Sequence, residues 1–144
     1  MGSQANINNK PTHQFSGMKL WLETPLGKAL LQAESEGLEK LLPRRFGYHL
    51  LQLGCSDIPM YKDSPIGHKF TISTDELATG YEIFASDEAL PLASESIDLV
   101  LLHHALDFSD NQHHLLREAS RVLIEGGDII IVGFNPLSSW GLRK

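Results

Sequence analysis

Three short runs decide what this chain can fold into: "YHLLQLG" from Tyr48 to Gly54, "SIDLVLLHH" from Ser96 to His104, and "DIIIVGF" from Asp128 to Phe134. Their apolar residues are continuous rather than alternating. That pattern marks strands buried on both faces, as in a parallel sheet covered by helices on each side. Two further strands are expected, "HKFTIST" from its alternation and "YEIFA" from its short β-prone run.

Helices stand between these runs. Thr24 is a good N-cap and Pro25 fits the first helical turn, where a missing N–H costs nothing. From there Leu26, Ala29, Leu30, Ala33, Gly37, Leu38 and Leu41 recur at three- and four-residue spacing, so a helix is expected from Thr24 to Leu42, stopped by Pro43. A second helix is expected after Ser109 or Asp110, either of which can cap it. Leu115, Leu116, Ala119, Val122 and Leu123 form its apolar face, and Gly126-Gly127 would close it with a left-handed cap. "NPLSSWGLRK" reads as a turn and the start of another helix. Alternating strands and helices give an α/β fold with a Rossmann-like, mostly parallel sheet.

Composition narrows the partners. The 144 residues suffice for one domain, expected over 18–144, preceded by a polar, flexible lead-in over 1–17. A formal charge of −6 argues against a non-specific grip on nucleic acid, which needs many phosphate-neutralising cations. No stretch is long and apolar enough for a membrane span. The single cysteine, Cys55, cannot form an intramolecular disulfide and fits a reducing, cytoplasmic setting. A small molecule or another protein is the expected partner.

Open parallel sheets bind ligands beyond the carboxyl ends of their strands. The positions to watch are Gly54-Cys55-Ser56, Ser73-Thr74-Asp75, Ser86-Asp87-Glu88, His103-His104 and Gly133-Phe134-Asn135. The glycine after the first strand would let a ligand come close to the backbone.

The segment "DEALPLASESIDLVLLHHALDFSDNQHHLLREASRVLIEGGDIIIVGFNP" resembles the second half of a class I S-adenosylmethionine-dependent methyltransferase domain, of the methyltransferase type 11 kind. The resemblance runs from Tyr48 to Pro136 and is most specific in Asp87 to Leu92, Asp98 to Val100, Leu115 to Glu118 and "RVLIEGGDIII". It implies S-adenosylmethionine as cofactor. Gly54, Cys55 and Ser56 would line it, with Thr74 and Asp75 after the second strand and Asp87, Glu88 and Ala89 beside its adenine. His103 and His104 would face its methionine end, and either could remove a proton from the acceptor.

The chain also departs from the family. Gln52 stands where the loop usually begins with an acid, and Ser56 and Ile58 stand where further glycines belong. Thr71 occupies the position of the ribose-binding acid, for which Asp75 is a substitute. The family continues past the fifth strand with a helix and an antiparallel hairpin that do not appear before Lys144. The expectation is a fragment of a longer protein, the alternative a truncated sheet, and in either case an open sheet edge could pair with a second copy of the chain. Two functions follow: methyl transfer to a small-molecule acceptor, or a non-catalytic relative acting in protein interaction. A nicotinamide-binding domain fits less well, because the Gly-x-Gly-x-x-Gly loop is absent. No metal site is expected: neighbours on a strand point to opposite faces, so at most one of His103 and His104, and one of His113 and His114, would converge. Asp98 is expected to serve structure through backbone hydrogen bonds. Phe134-Asn135-Pro136 is expected to turn the chain at the end of its strand.

Overall fold

Four parallel strands and one antiparallel strand form a single sheet in the order β2-β1-β3-β4-β5. They are β1 (His49–Gly54), β2 (His68–Ser73), β3 (Ile97–His103), β4 (Leu123–Val132) and β5 (Gly141–Arg143). The computed structural model describes residues 18, 20–54, 56, 58–73, 89–107, 109, 111–134 and 141–143. The expected strand "YEIFA" and the site residues Cys55, Thr74, Asp75, Asp87 and Glu88 lie outside these, as do residues 1–17 and Asn135-Pro136.

Side-chain alternation sends each strand's residues to two cores. One face carries Leu51, Leu53, Val100, Leu102 and Ile129 against Leu115, Ala119 and Val122 of α2 (Gln112–Val122). The other carries Leu50, Leu99, Leu101, Ile130 and Val132 against Leu38 of α1 (Pro25–Leu41) and against Met60 and Ile66 of the β1–β2 connection. Each fully buried leucine contributes about 1.5–3 kcal/mol. The central strands are thus apolar on both sides, as their sequence requires.

Helix α1 starts as expected, with the Thr24 side chain accepting from the Gly27 N–H. Its inward face is narrower than its spacing suggests. Leu38 is buried, but Leu26 is 69 % exposed, Ala33 and Gly37 are exposed, and the polar Glu34 occupies the middle of that face. Helix α2 is capped by Asn111, whose Oδ1 accepts from the His114 N–H, rather than by Ser109 or Asp110. Gly126-Gly127 does not end α2. The helix stops at Val122 and the chain passes directly into β4. Gly126, at φ 80°, lies in an irregularity where Ile97 pairs with Leu123 but Leu99 already pairs with Asp128.

The chain end also differs from expectation. Gly141–Arg143 is a strand rather than the start of a helix, and it pairs antiparallel with Asp128–Ile130 of β4. The β4 edge that the sequence leaves open to a second copy is therefore covered by the chain's own β5. At the amino ends of the central strands, Asp98 Oδ2 accepts from the Tyr48 and His49 N–H groups and ties the start of β1 to β3, the structural role expected of it. No helix among the described residues is long and apolar enough to cross a membrane.

Candidate functional site

Strand order reverses between β1 and β3, since β2 lies on one side of β1 and β3 on the other. The crevice rule for open sheets therefore points to the carboxyl ends of these two strands. Gly54 ends β1 and is in register with Ser73 of β2 and His103 of β3. Ser73, Gly54 and His103 thus share one face of the rim.

A side chain at Gly54 would fall against the carbonyl oxygen of His103. The glycine is therefore required by the close approach of β1 and β3, not only by a ligand as its sequence context suggests. Gly54→Ala is expected to cost about 1–3 kcal/mol through overpacking, read as a lowered urea midpoint. An unchanged midpoint would show that the strands can part without cost.

The loop leaving β1 is held from below. Gln52 is fully buried; its Nε2 donates to the Ile58 carbonyl at 2.9 Å and its Oε1 accepts from the Met60 N–H at 2.8 Å. The side chain that replaces the family's acid thus serves as a two-point tether for the loop. Ser56 is buried, and its hydroxyl accepts from the Ile58 N–H at 3.4 Å. Thr71, expected from the sequence at the ribose-acid position, lies two residues before the end of β2 and donates to the Tyr61 hydroxyl at 3.3 Å. The stretch containing Ala89 is anchored to α2. Buried Glu118 accepts from the Leu90 N–H at 2.8 Å, and Arg121 donates to the Leu90 and Leu92 carbonyls at 3.0 and 2.9 Å.

Beyond β3 the structure departs most from the sequence expectation. His103 completes the strand, but His104 turns into the left-handed region at φ 57° while its N–H donates to the Val132 carbonyl. Alternation ends there, and both rings meet the same carboxylate. His103 Nε2 lies 2.8 Å from Glu34 Oε1, and His104 Nε2 lies 2.5 Å from Glu34 Oε2. His104 Nδ1 reaches Asp107 at 2.8 Å, and Asp107 also accepts from the Phe134 N–H at 3.2 Å. The Phe134 ring lies 4.4 Å from that of His104. Among the described residues, Glu34, His103 and His104 form a cluster with metal-ligand donors in one place, contrary to the expected divergence of the two rings. Neither His113 nor His114 belongs to it.

Charge explains the cluster's protonation. Burial alone would lower the His104 pKa, but hydrogen bonds to Asp107 and Glu34, with their negative charges, raise it to about 9. Burial alone would raise Glu34, yet its hydrogen bonds from His103 and His104 and their charge bring it to about 2. His104 is thus an imidazolium with both nitrogens donating, and it is not available as a base. His103 differs. Its Nε2 pairs with Glu34, and its Nδ1 is buried without a hydrogen-bond partner among the described residues. Ser73 Oγ is in the same position.

The signs fix a pH dependence. His104, raised from 6.5 to about 9, stabilises the fold fully below 6.5, and that contribution is lost as pH rises through 9. Glu34, lowered from 4.5 to about 2, contributes above 4.5 and loses this as pH falls through 2. Unfolding free energy in chelator-containing buffer is expected to be flat between these windows and to drop by about 2–3 kcal/mol on the alkaline side. A urea series that stays flat to pH 9.5 would contradict the charged pairing.

Residues 73–131 match the methyltransferase domain family. The chain is 35% identical over 125 residues to the uncharacterized protein YafS of Escherichia coli K12, covering 86% of this chain and 51% of that protein. It thus spans about half the length of that relative. Among solved structures, it is similar to a putative S-adenosyl-L-methionine-dependent methyltransferase of Methanococcus maripaludis (TM-score 0.56, 15% identity, 83% of this chain and 63% of that one). It is also similar to a chain in the complex of the Haloferax volcanii Trm112 methyltransferase activator with the putative methyltransferase (TM-score 0.56, 18% identity, 78% and 57%).

Proposed function

We propose that this chain is a class I S-adenosylmethionine-dependent methyltransferase that binds S-adenosylmethionine at the β1–β3 rim and transfers a methyl group to a small-molecule acceptor; the family match over residues 73–131 and the fold it shares with solved methyltransferase structures support the reading. One observation carries this reading. Ser73 Oγ and His103 Nδ1 flank Gly54 in register at the strand ends, both buried and both unpartnered among the described residues. A buried polar atom without a partner costs about 1–3 kcal/mol, which a polar ligand on the rim would offset.

Gly54, Cys55 and Ser56 would hold the cofactor from the β1 side, Thr74 and Asp75 from the end of β2, and Asp87, Glu88 and Ala89 on the adenine side. The cofactor, when bound, supplies an electrophilic methyl group on a sulfonium. The chain's own contribution is positioning, which converts an encounter between two reactants into an oriented contact. Gln52 fixes the height of the β1 loop, and the Glu118–Arg121 pair fixes the Leu90–Leu92 stretch. A His103 ring that keeps its Nε2–H on Glu34 would present Nδ1 to take a proton from an acceptor, with Glu34 stabilising the charge that forms on the ring. His104 acts by holding Glu34 in place.

A second reading, a non-catalytic relative acting in protein interaction, draws support from the same loop. The Gln52 tether and the non-glycine residues Ser56 and Ile58 leave it less free to wrap a ligand. Calorimetric titration with S-adenosylmethionine and S-adenosylhomocysteine separates the two. The methyltransferase reading expects dissociation constants of about 1–100 µM, or about −8 to −5 kcal/mol. Absence of heat up to millimolar ligand supports the non-catalytic reading.

A further inference from the structure

We propose that Glu34, His103 and His104 form a binding site for a divalent transition-metal ion, zinc foremost, with Asp107 orienting His104 from behind. The inference stands apart from cofactor binding but shares His103 and Glu34 with the proton-transfer role proposed above: an ion on His103 Nε2 replaces its hydrogen bond to Glu34, so the metal-bound chain does not use His103 Nδ1 as a base.

The donor set is the first argument. Two imidazoles and one carboxylate are borderline donors that suit Zn²⁺, and three protein ligands leave a fourth position open. Their ligand atoms already lie within 4.8 Å of one another. On a tetrahedral ion with bonds of about 2.1 Å they would stand about 3.4 Å apart. The present separations of 2.8 and 2.5 Å between Glu34 and the two rings need to widen by about 1 Å or less.

The surroundings are the second argument. Metal-bound histidines commonly give their other ring N–H to a carboxylate, which fixes ring orientation. His104 Nδ1 does this with Asp107, and the Phe134 N–H holds Asp107 in turn. The convergence depends on the left-handed backbone of His104, a conformation that is unfavourable for a residue with a Cβ and that tends to persist at functional sites. A divalent ion also sets two positive charges against the two carboxylates, Glu34 and Asp107.

Access is the third. His103 and His104 are fully buried, but Glu34 lines a groove of about 320 Å³ beside the exposed Ala33 and Gly37. Neither histidine lines this groove, so an ion would meet the Glu34 carboxylate first and reach the two rings past it.

The test uses the full chain stripped with EDTA and titrated with zinc against a chromophoric chelator, with cobalt(II) as a spectroscopic substitute. One ion per chain is expected, with submicromolar affinity and the visible bands of four-coordinate cobalt. Asp107→Asn is expected to weaken zinc by about 10–100-fold. Glu34→Gln and His103→Ala are expected to weaken it by more than about 100-fold, and His113→Ala to leave it unchanged. Circular dichroism checks the fold of each variant; should His103→Ala fail to fold, Asp107→Asn and Glu34→Gln decide. No binding at millimolar zinc, a cobalt spectrum of six-coordinate type only, or equal affinity in Asp107→Asn and Glu34→Gln overturns the proposal.

Discussion

Replacing Glu34 with alanine is expected to lower unfolding free energy by about 3–5 kcal/mol, among the largest losses a single substitution in this chain can cause. Its carboxylate is 8% exposed and holds both His103 and His104, which are fully buried. Removing it leaves a buried imidazolium with one acceptor instead of two and a His103 ring with no partner for either nitrogen among the described residues. It also cuts the polar link between the middle of α1 and the end of β3. Glu34→Gln keeps the shape and one acceptor, so it is expected to recover part of the loss. Urea unfolding at pH 6 measures both. If alanine costs less than about 1 kcal/mol, the cluster does not hold α1 to the sheet.

Gln52→Leu carries the second large effect, about 2–4 kcal/mol, although leucine is the more apolar residue at a fully buried position. The loss comes from the loop rather than the core. The Met60 N–H and the Ile58 carbonyl lose their Gln52 partners; the buried Met60 N–H then costs about 1–3 kcal/mol, and the carbonyl of the exposed Ile58 costs less. The readout specific to this mechanism is amide hydrogen exchange at Met60, expected to accelerate by at least about 10-fold beyond the global change. Uniform acceleration across the sheet would mean that Gln52 acts as a packing residue only. Since the same loop is assigned to the cofactor, affinity for S-adenosylhomocysteine is expected to fall with it.

These two residues show where sequence reading reaches and where it stops. The doubly buried strands were legible because continuous apolar runs have few other homes. The start of α1 was legible because Thr24 and Pro25 act within a single turn. The rim residues followed from topology, which brings Gly54, Ser73 and His103 into register. Glu34 was not legible as a site residue. It sits 69 and 70 positions from its partners, and one acid on an otherwise apolar helix face is the only local signal. Strand alternation alone points His104 away from His103, because it does not show that the backbone turns left-handed at His104. Gln52 looked like the loss of an acid, when its amide supplies both a donor and an acceptor to the loop. Gly126-Gly127 looked like a helix cap because the apolar period of α2 runs on into Leu123, the first residue of β4. The closing antiparallel strand had no signal that a turn and a helix start would not also give.

The most direct test of the rim as an adenosyl site is a map of backbone amide shifts in ¹⁵N-labelled chain as S-adenosylhomocysteine is added. The expected result is a contiguous set of perturbed amides at the strand ends, with Gly54, Ser73, Ala89 and His103 among them, and unmoved amides in Tyr48–Leu50 at the far end of β1. Perturbation confined to the outer face of α2, or none at all at millimolar ligand, would contradict it.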